Sequence, residues 1–216
     1  MNLLIIGAPG TGKGTMSSLL TADFNIKHIS TGDMLRQAIR ENTPVGIEAK
    51  KYMDGGNLVP DSIIHDIIIE RLGNEDKDVS FLFDGYPRTV PQAEDLDNIL
   101  HSFNRKLDAV IALDIAEESL VKRITGRRLC RNCSTIYNLY FKPTKVAGIC
   151  DKCGGELFQR KDDSTESLSV RLQEYHRNTE GVLRYYQDKG LVHYFNADQS
   201  ADQVYAEIKA YLEGIE

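Results

Sequence analysis

The sequence predicts an α/β protein, a parallel sheet with helices on both faces. Three observations point there. Apolar runs of strand length alternate with helix-length segments, the stretch GAPGTGKGT (7–15) sets four glycines and a lysine directly after the first run, and two segments interrupt the alternation. Strands that are apolar on both faces and separated by helices belong to a sheet that is covered on both sides.

In chain order, NLLII (2–6) is the first expected strand, and MSSLLTADF (16–24) follows it as a helix. Residues 30–59 read as helical with no intervening strand, so they form a first insertion. A helical pattern over Ile63–Leu72 precedes the strand FLFDG (81–85), and another over Gln92–Leu100 precedes AVIAL (109–113). A helix over Glu117–Arg127 leads into residues 127–164, which are aromatic, cysteine-rich and turn-rich, a second insertion. A helical pattern over Val170–Tyr186 and the strand LVHYF (191–195) complete the frame. The expected division is a core of 1–29, 60–126 and 165–216, with insertions at 30–59 and 127–164, where function commonly resides.

At 216 residues, 41% hydrophobic and 27% charged, the chain has the composition of an ordinary globular protein. No basic leader precedes the first strand, and no apolar run approaches the roughly 18 residues of a membrane helix. The expectation is a cytoplasmic chain. A net charge of −6 argues against general nucleic-acid binding, although arginines converging on one cleft would still let it bind anions. The five histidines (28, 65, 101, 176 and 193) form no spaced set and are expected as packing or surface residues, as is the Tyr185–Tyr186 pair.

Read from Gly7, the glycine stretch fits G-x-x-x-x-G-K-[ST] with Gly14 inserted before Thr15, a GKGT variant of the phosphate loop. Glycines at such a turn let successive backbone N–H groups face phosphate oxygens, and the next helix adds its positive N-terminus. Lys13 supplies a mobile cation for the outer phosphates. A tight turn with a surface lysine is the plain alternative. The strand before it and the helix after it favour a nucleotide site, and with it a P-loop NTPase-type sheet. Cys130, Cys133, Cys150 and Cys153 give C-x₂-C-x₁₆-C-x₂-C, which suits one tetrahedral zinc ion in a small ribbon-like β segment. Two disulfides would suit a secreted chain instead. All four thiols lie within one small insertion, so the metal is expected to staple a segment with little core of its own.

ISTGDMLRQAI (29–39) and DGYPRTVPQA (84–93) complete a set. Alone, STGD is a helix cap with Ser30 or Thr31 as the capping residue and Asp33 in the first turn. Asp84 ends an apolar strand beside the phosphate loop, where a Walker-B-like acid would serve Mg²⁺. Arg36 and Arg88 are planar forks suited to a phosphate. Together with the loop and in this order, the motifs resemble the adenylate kinases of the long-lid type with a zinc-binding lid, over nearly the whole chain.

That resemblance implies a helical AMP-binding insertion, a lid that closes on ATP, and the reaction ATP + AMP ⇌ 2 ADP with Mg²⁺ by direct transfer. It implies an ATP site made of Gly10, Thr11, Gly12, Lys13, Gly14, Thr15, Arg123, Arg127 and Gln199. The AMP site would comprise Thr31, Gly32, Arg36, Leu58, Val59, Gly85, Arg88, Gln92, Arg160 and Arg171, with Gln92 reading the adenine edge. Catalysis would rest on Lys13, Asp84, Arg88, Arg123, Arg160 and Arg171, with Asp162 and Asp163 adjoining. The partners implied are ATP, AMP and ADP, served by a monomer without nucleic acid or membrane. Thr31 favours AMP, because similar kinases of pyrimidine monophosphates tend to replace it. Met16 and Ala197 (in NADQ, 196–199) depart from the glutamine and glycine common in the family. The alternatives are a GTP-using or pyrimidine-directed kinase, or a non-enzymatic ATP-dependent switch with a zinc recognition ribbon. A switch has no need of a second phosphate site around Arg36 and DGYPR.

Overall fold

A computed structural model describes residues 1–55, 57–76 and 78–215. Strands β1 (Asn2–Gly7), β2 (Ile26–Ser30), β3 (Ser80–Asp84), β4 (Ala109–Asp114) and, last in the chain, β8 (Val192–Asn196) pair in parallel in the order β2-β3-β1-β4-β8. This is the expected sheet. Side chains alternate across it, as strand geometry requires. Leu4 and Ile6 of β1, Phe81 and Phe83 of β3 and Val110 of β4 enter one core, while Leu3, Ile5, Leu82, Ile111 and Leu113 enter the other.

The first core is covered by α4 (Asp61–Gly73), α5 (Val90–Ser102) and α8 (Glu180–Gln187), through residues such as Ile68, Leu96 and Tyr186. The second is covered by α1 (Lys13–Asp23) and α9 (Ala201–Glu213), through Leu20, Val204 and Ile208. Helices α2 (Thr31–Arg40) and α3 (Pro44–Met53) follow β2 without a strand between them. Ser30 caps α2, accepting the Asp33 N–H at 3.4 Å. Helix α6 (Glu118–Thr125) leads into a separate antiparallel sheet, β6-β5-β7, made of β5 (Arg127–Cys130), β6 (Ile136–Asn138) and β7 (Leu157–Phe158); α7 (Thr165–Glu174) returns to the core. Among the described residues, no helix is long and apolar enough to cross a membrane.

Three elements differ from the sequence expectation. β2 is an edge strand with only Ile26 and Ile29 buried, so its apolar signal is half that of an inner strand. Arg127 opens β5 instead of closing a helix, because α6 ends at Gly126, where a Cβ would lie 2.7 Å from Lys122 O. The expected helix over Val170–Tyr186 is broken by a π-turn at Tyr175–Thr179. The extra residue of such a turn re-aims the side chains after it, and here the Thr179 hydroxyl donates to Arg88 O at 3.1 Å.

The register gathers the site. Asp84 pairs with Ile5 and with Ser30, and Gly7 pairs with Leu113. The phosphate loop, Thr31 and Gly85 therefore lie together beyond the carboxyl ends of the strands, where open α/β sheets bind ligands.

Candidate active site

The loop after β1 turns through the left-handed region twice, at Gly10 (φ 94°) and Gly12 (φ 105°), which only glycine adopts without strain. Gly12 is the N-cap of α1 and its carbonyl accepts from Thr15 and Met16 N–H. Thr11 closes the curve, its hydroxyl donating to Ala8 O at 3.0 Å. Lys13 Nζ lies inside it, donating to Gly7 O at 2.7 Å and Ala8 O at 3.1 Å. Burial lowers the Lys13 pKa to about 8; the nearby Asp84 opposes this, and Arg171, Arg88 and Arg127 add to it. A β-carbon on Gly14 would lie 3.3 Å from Ile136 Cδ1, so β6 of the small sheet sits over the loop.

Beside the loop, arginines from five segments of the chain converge. Arg88 is held at three points. Its Nε donates to Gly85 O at 2.7 Å, its N–H to Gln92 Oε1 at 2.7 Å, and its carbonyl accepts from Thr179. Arg171 on α7 reaches Asp162 Oδ2 at 3.3 Å, while Arg36 and Arg160 share Asp33 Oδ1 at 2.7 and 3.1 Å. Burial moves the pKa of Arg160 and of Arg171 to about 10, assisted by neighbouring arginines and opposed by carboxylates, so both stay charged at neutral pH. Burial alone would raise the Asp33 carboxyl; Arg36 and Arg160 overcome it and hold the pKa at about 2. Arg127 makes a two-pronged pair with the fully buried Asp163, which fixes the start of β5.

Arg123 stands apart. It donates to Ala197 O at 2.8 Å and Thr11 O at 3.4 Å, on the side of the loop that faces the NADQ segment. Gln199 there donates to Asn196 O at 3.0 Å. Met16 and Ala197 are both core residues. Arg128 bonds to backbone carbonyls and Arg131 pairs with Glu156, so neither joins the cluster.

On the far side of Arg88 lies a cleft open to solvent. Arg36, Arg88 and Arg171 line its charged end, with Thr31, Gly32 and Gly85 beside them. Gly85 has φ 82°, and a β-carbon there would stand 3.0 Å from Thr31 Oγ1 and 3.2 Å from Arg88 Nη2. Leu35, Met53, Leu58, Val59 and Ile64 give an apolar wall, and Gln92 adds the amide that faces it. The cleft thus offers an end with three arginines and Asp162, an apolar wall, and the amides of Gln92 and Asn57. Gly32, Leu58, Val59, Gly85 and Gln92 all line this one cleft.

Asp84 is almost wholly buried, its Oδ2 3.4 Å from His28 Nε2. With the Thr15 hydroxyl it offers hard oxygen donors beside the loop, the ligand type Mg²⁺ requires. The four cysteine sulfurs lie within 4.8 Å of one another and are free thiols. A tetrahedral site with metal–sulfur bonds of about 2.3 Å needs sulfurs separated by about 3.8 Å, close to the observed 3.3–3.6 Å between neighbours. Each knuckle folds alike, Ser134 N–H donating to Cys130 O and Gly154 N–H to Cys150 O. The cluster could hold a zinc ion.

Sequence reasoning missed Thr179, Asp61 behind Gln92, and Ile136 over the loop. None lies in a motif, and each acts through a partner distant in the chain.

A family model described as adenylate kinase matches residues 5–191. An adenylate kinase of Geobacillus sp. (strain WCH70) is 47% identical over 216 residues, which is 100% of both chains. That of Bacillus subtilis (strain 168) is 47% identical over 215 residues, covering 100% of this chain and 99% of its own. That of Methanocella arvoryzae (strain DSM 22066 / NBRC 105507 / MRE50) is 46% identical over 212 residues, 98% of each. This chain belongs to the adenylate kinase family.

Proposed function

We propose that this chain catalyses ATP + AMP ⇌ 2 ADP, with the phosphate loop holding ATP and the cleft beyond Arg88 holding AMP. The single observation behind this is that two anion sites in one chain face one arginine cluster, with Arg88 and Arg171 between them. Two phosphoryl groups held end to end across shared cations have the arrangement that transfer needs.

Backbone N–H groups of Gly10–Thr15 and Lys13 cradle the ATP phosphates, and Arg123, Arg127 and Gln199 complete that side. Arg36 and Arg88 hold the AMP phosphate, with Thr31, Gly32 and Gly85 beneath it. Leu58 and Val59 flank the base and Gln92 reads its edge. An AMP phosphate oxygen attacks the γ-phosphorus directly and the bridging oxygen of ADP leaves, while Lys13, Arg88, Arg123, Arg160 and Arg171 stabilise the spread charge. Asp84 and Thr15 would hold Mg²⁺, which when bound neutralises charge between the β- and γ-phosphates. Closure of the small sheet over the loop excludes water and so limits ATP hydrolysis.

We further read residues 30–59 as the AMP-binding insertion, 127–164 as the lid and the remainder as the core. Supporting this, α2 and α3 wall the cleft and β5–β7 form their own sheet. The four cysteines hold one structural zinc per chain. Both proposed nucleotide sites lie within one chain, which supports action as a monomer on ATP, AMP and ADP; a cytoplasmic location, without nucleic-acid or membrane partners, is part of the same reading. A coupled assay with ATP or GTP and AMP, GMP, CMP and UMP tests the reading. AMP with ATP is expected to give the highest kcat/KM, and equal use of UMP would sink it.

A further inference from the structure

Gln92 is buried and faces the cleft, and both ends of its amide are already bonded. Its Oε1 accepts the Arg88 N–H at 2.7 Å, and its Nε2 donates to Asp61 Oδ1 at 2.5 Å. Asp61 lies outside the cleft lining, as the first residue of α4 after Pro60. A backbone N–H only donates and a carboxylate only accepts. The amide therefore has one satisfied orientation. Turned over, it would set NH₂ against N–H and carbonyl oxygen against carboxylate, losing both bonds. In the observed orientation, one N–H and one lone pair remain for a ligand.

The geometry points to Asp61 as a specificity-determining positioning residue: together with the Arg88 N–H, it locks the Gln92 amide in the sense that reads a 6-aminopurine and rejects a 6-oxopurine. This rests on the assignment of AMP to the cleft. A 6-aminopurine presents an acceptor at N1 and a donor at its amino group. A 6-oxopurine presents the reverse, N1–H and O6. A free glutamine meets either edge by turning its amide over, so Gln92 alone does not discriminate. A pinned one meets a single pattern, and a mismatched base leaves buried groups unpaired, which is how hydrogen-bonding sites reject near-isosteres.

Inosine monophosphate is the sharpest probe, because it differs from AMP only at that edge. Asp61→Asn sets an amide that can donate or accept opposite Gln92, and Asp61→Ala sets nothing there, so in either variant only the Arg88 N–H still opposes the turned-over amide. Wild type and both variants are assayed with ATP and with AMP, inosine monophosphate or CMP, alongside thermal melts. In both variants the ratio of kcat/KM for AMP to that for inosine monophosphate is expected to fall about tenfold or more. The change should be carried by KM, with kcat for AMP within about threefold and the CMP rate unmoved. An unchanged ratio, an equal loss for every acceptor, or failure of both variants to fold gives Asp61 a merely structural role and overturns the proposal. Wild type that does not phosphorylate AMP would instead overturn the assignment of the cleft, a distinct result.

Discussion

The parallel sheet and the small antiparallel sheet are held together by different forces. Under the parallel sheet, two extensive apolar clusters bury whole side chains on each face, among them Leu4, Phe83, Leu96, Ile111 and Ile208. The small sheet buries only Cys130, Tyr137 and Cys150 together, with Cys133 and Leu157 against them. Leu129 is also buried there, but Leu139, Tyr140, Phe141, Val146 and Ile149 of the same segment are exposed. Hydrophobic burial fixes the loop and the residues at the strand ends, whereas four thiols and the Arg127–Asp163 pair must fix the segment that lies over the loop. A segment with so little core of its own is better held by a local clamp than by apolar burial.

The largest expected difference between the two regions is in stability. Leu4→Ala deletes a fully buried side chain in a central strand and should cost about 2–5 kcal/mol. Leu139→Ala, at a half-exposed position of the small sheet, should stay within about 0.5 kcal/mol. Denaturant melts of the two variants decide it, and similar losses would erase the contrast.

Chemistry should divide next. Arg88→Ala should lower kcat on the order of 10²-fold and weaken AMP use, leaving the melt unchanged. Arg123→Ala should lower kcat similarly but weaken ATP use instead, since Arg123 sits on the NADQ side of the loop. Steady-state kinetics with each nucleotide varied in turn separates them. A near-normal kcat in either variant removes that arginine from the machinery.

A smaller effect concerns protons. The folded, nucleotide-free chain holds Lys13 at about pKa 8, below its ordinary value of 10.5, because burial disfavours the cation. Between those values the folded state binds fewer protons than the unfolded one, so this group's contribution makes stability rise with pH across that window, its full cost being present below about 8. ATP needs the cation. At pH 8.5, ATP binding should therefore take up more than about half a proton, read by calorimetry in buffers of different ionisation heat. Lys13→Arg, which stays charged, should take up none there. Absence of uptake by wild type would contradict the burial argument.

The sequence made one part of this legible and hid another, for physical reasons. Backbone-driven features announce themselves locally: glycines 10 and 12 must turn left-handed, and two C-x₂-C knuckles must fold alike. Inner strands show because both their faces are apolar, whereas the edge strand β2 shows only by half. Side-chain pairings across long separations leave no local mark. Asp61 and Gln92 are 31 residues apart, and Thr179 and Arg88 are 91 apart. The π-turn that aims Thr179 lies inside a stretch whose periodicity reads as one helix. Arg123 donates to Ala197 O, 74 residues further on, a pairing equally invisible in the local sequence.

The most direct test of a clamp that does no chemistry is amide hydrogen exchange on zinc-free and zinc-loaded protein, with turnover measured on the same samples. Structural zinc organises thiolates only in the folded state, so its binding energy becomes folding energy for the segment it closes. Removal should speed exchange at Cys130, Leu157 and their neighbours in β5–β7 and leave the amides of β1 and β4 as protected as before. At a temperature where the small sheet stays folded, turnover should fall by less than about tenfold, because none of the phosphate-binding groups is displaced. Complete loss of turnover with unchanged exchange in β5–β7 would make the metal catalytic and contradict the division between core and clamp.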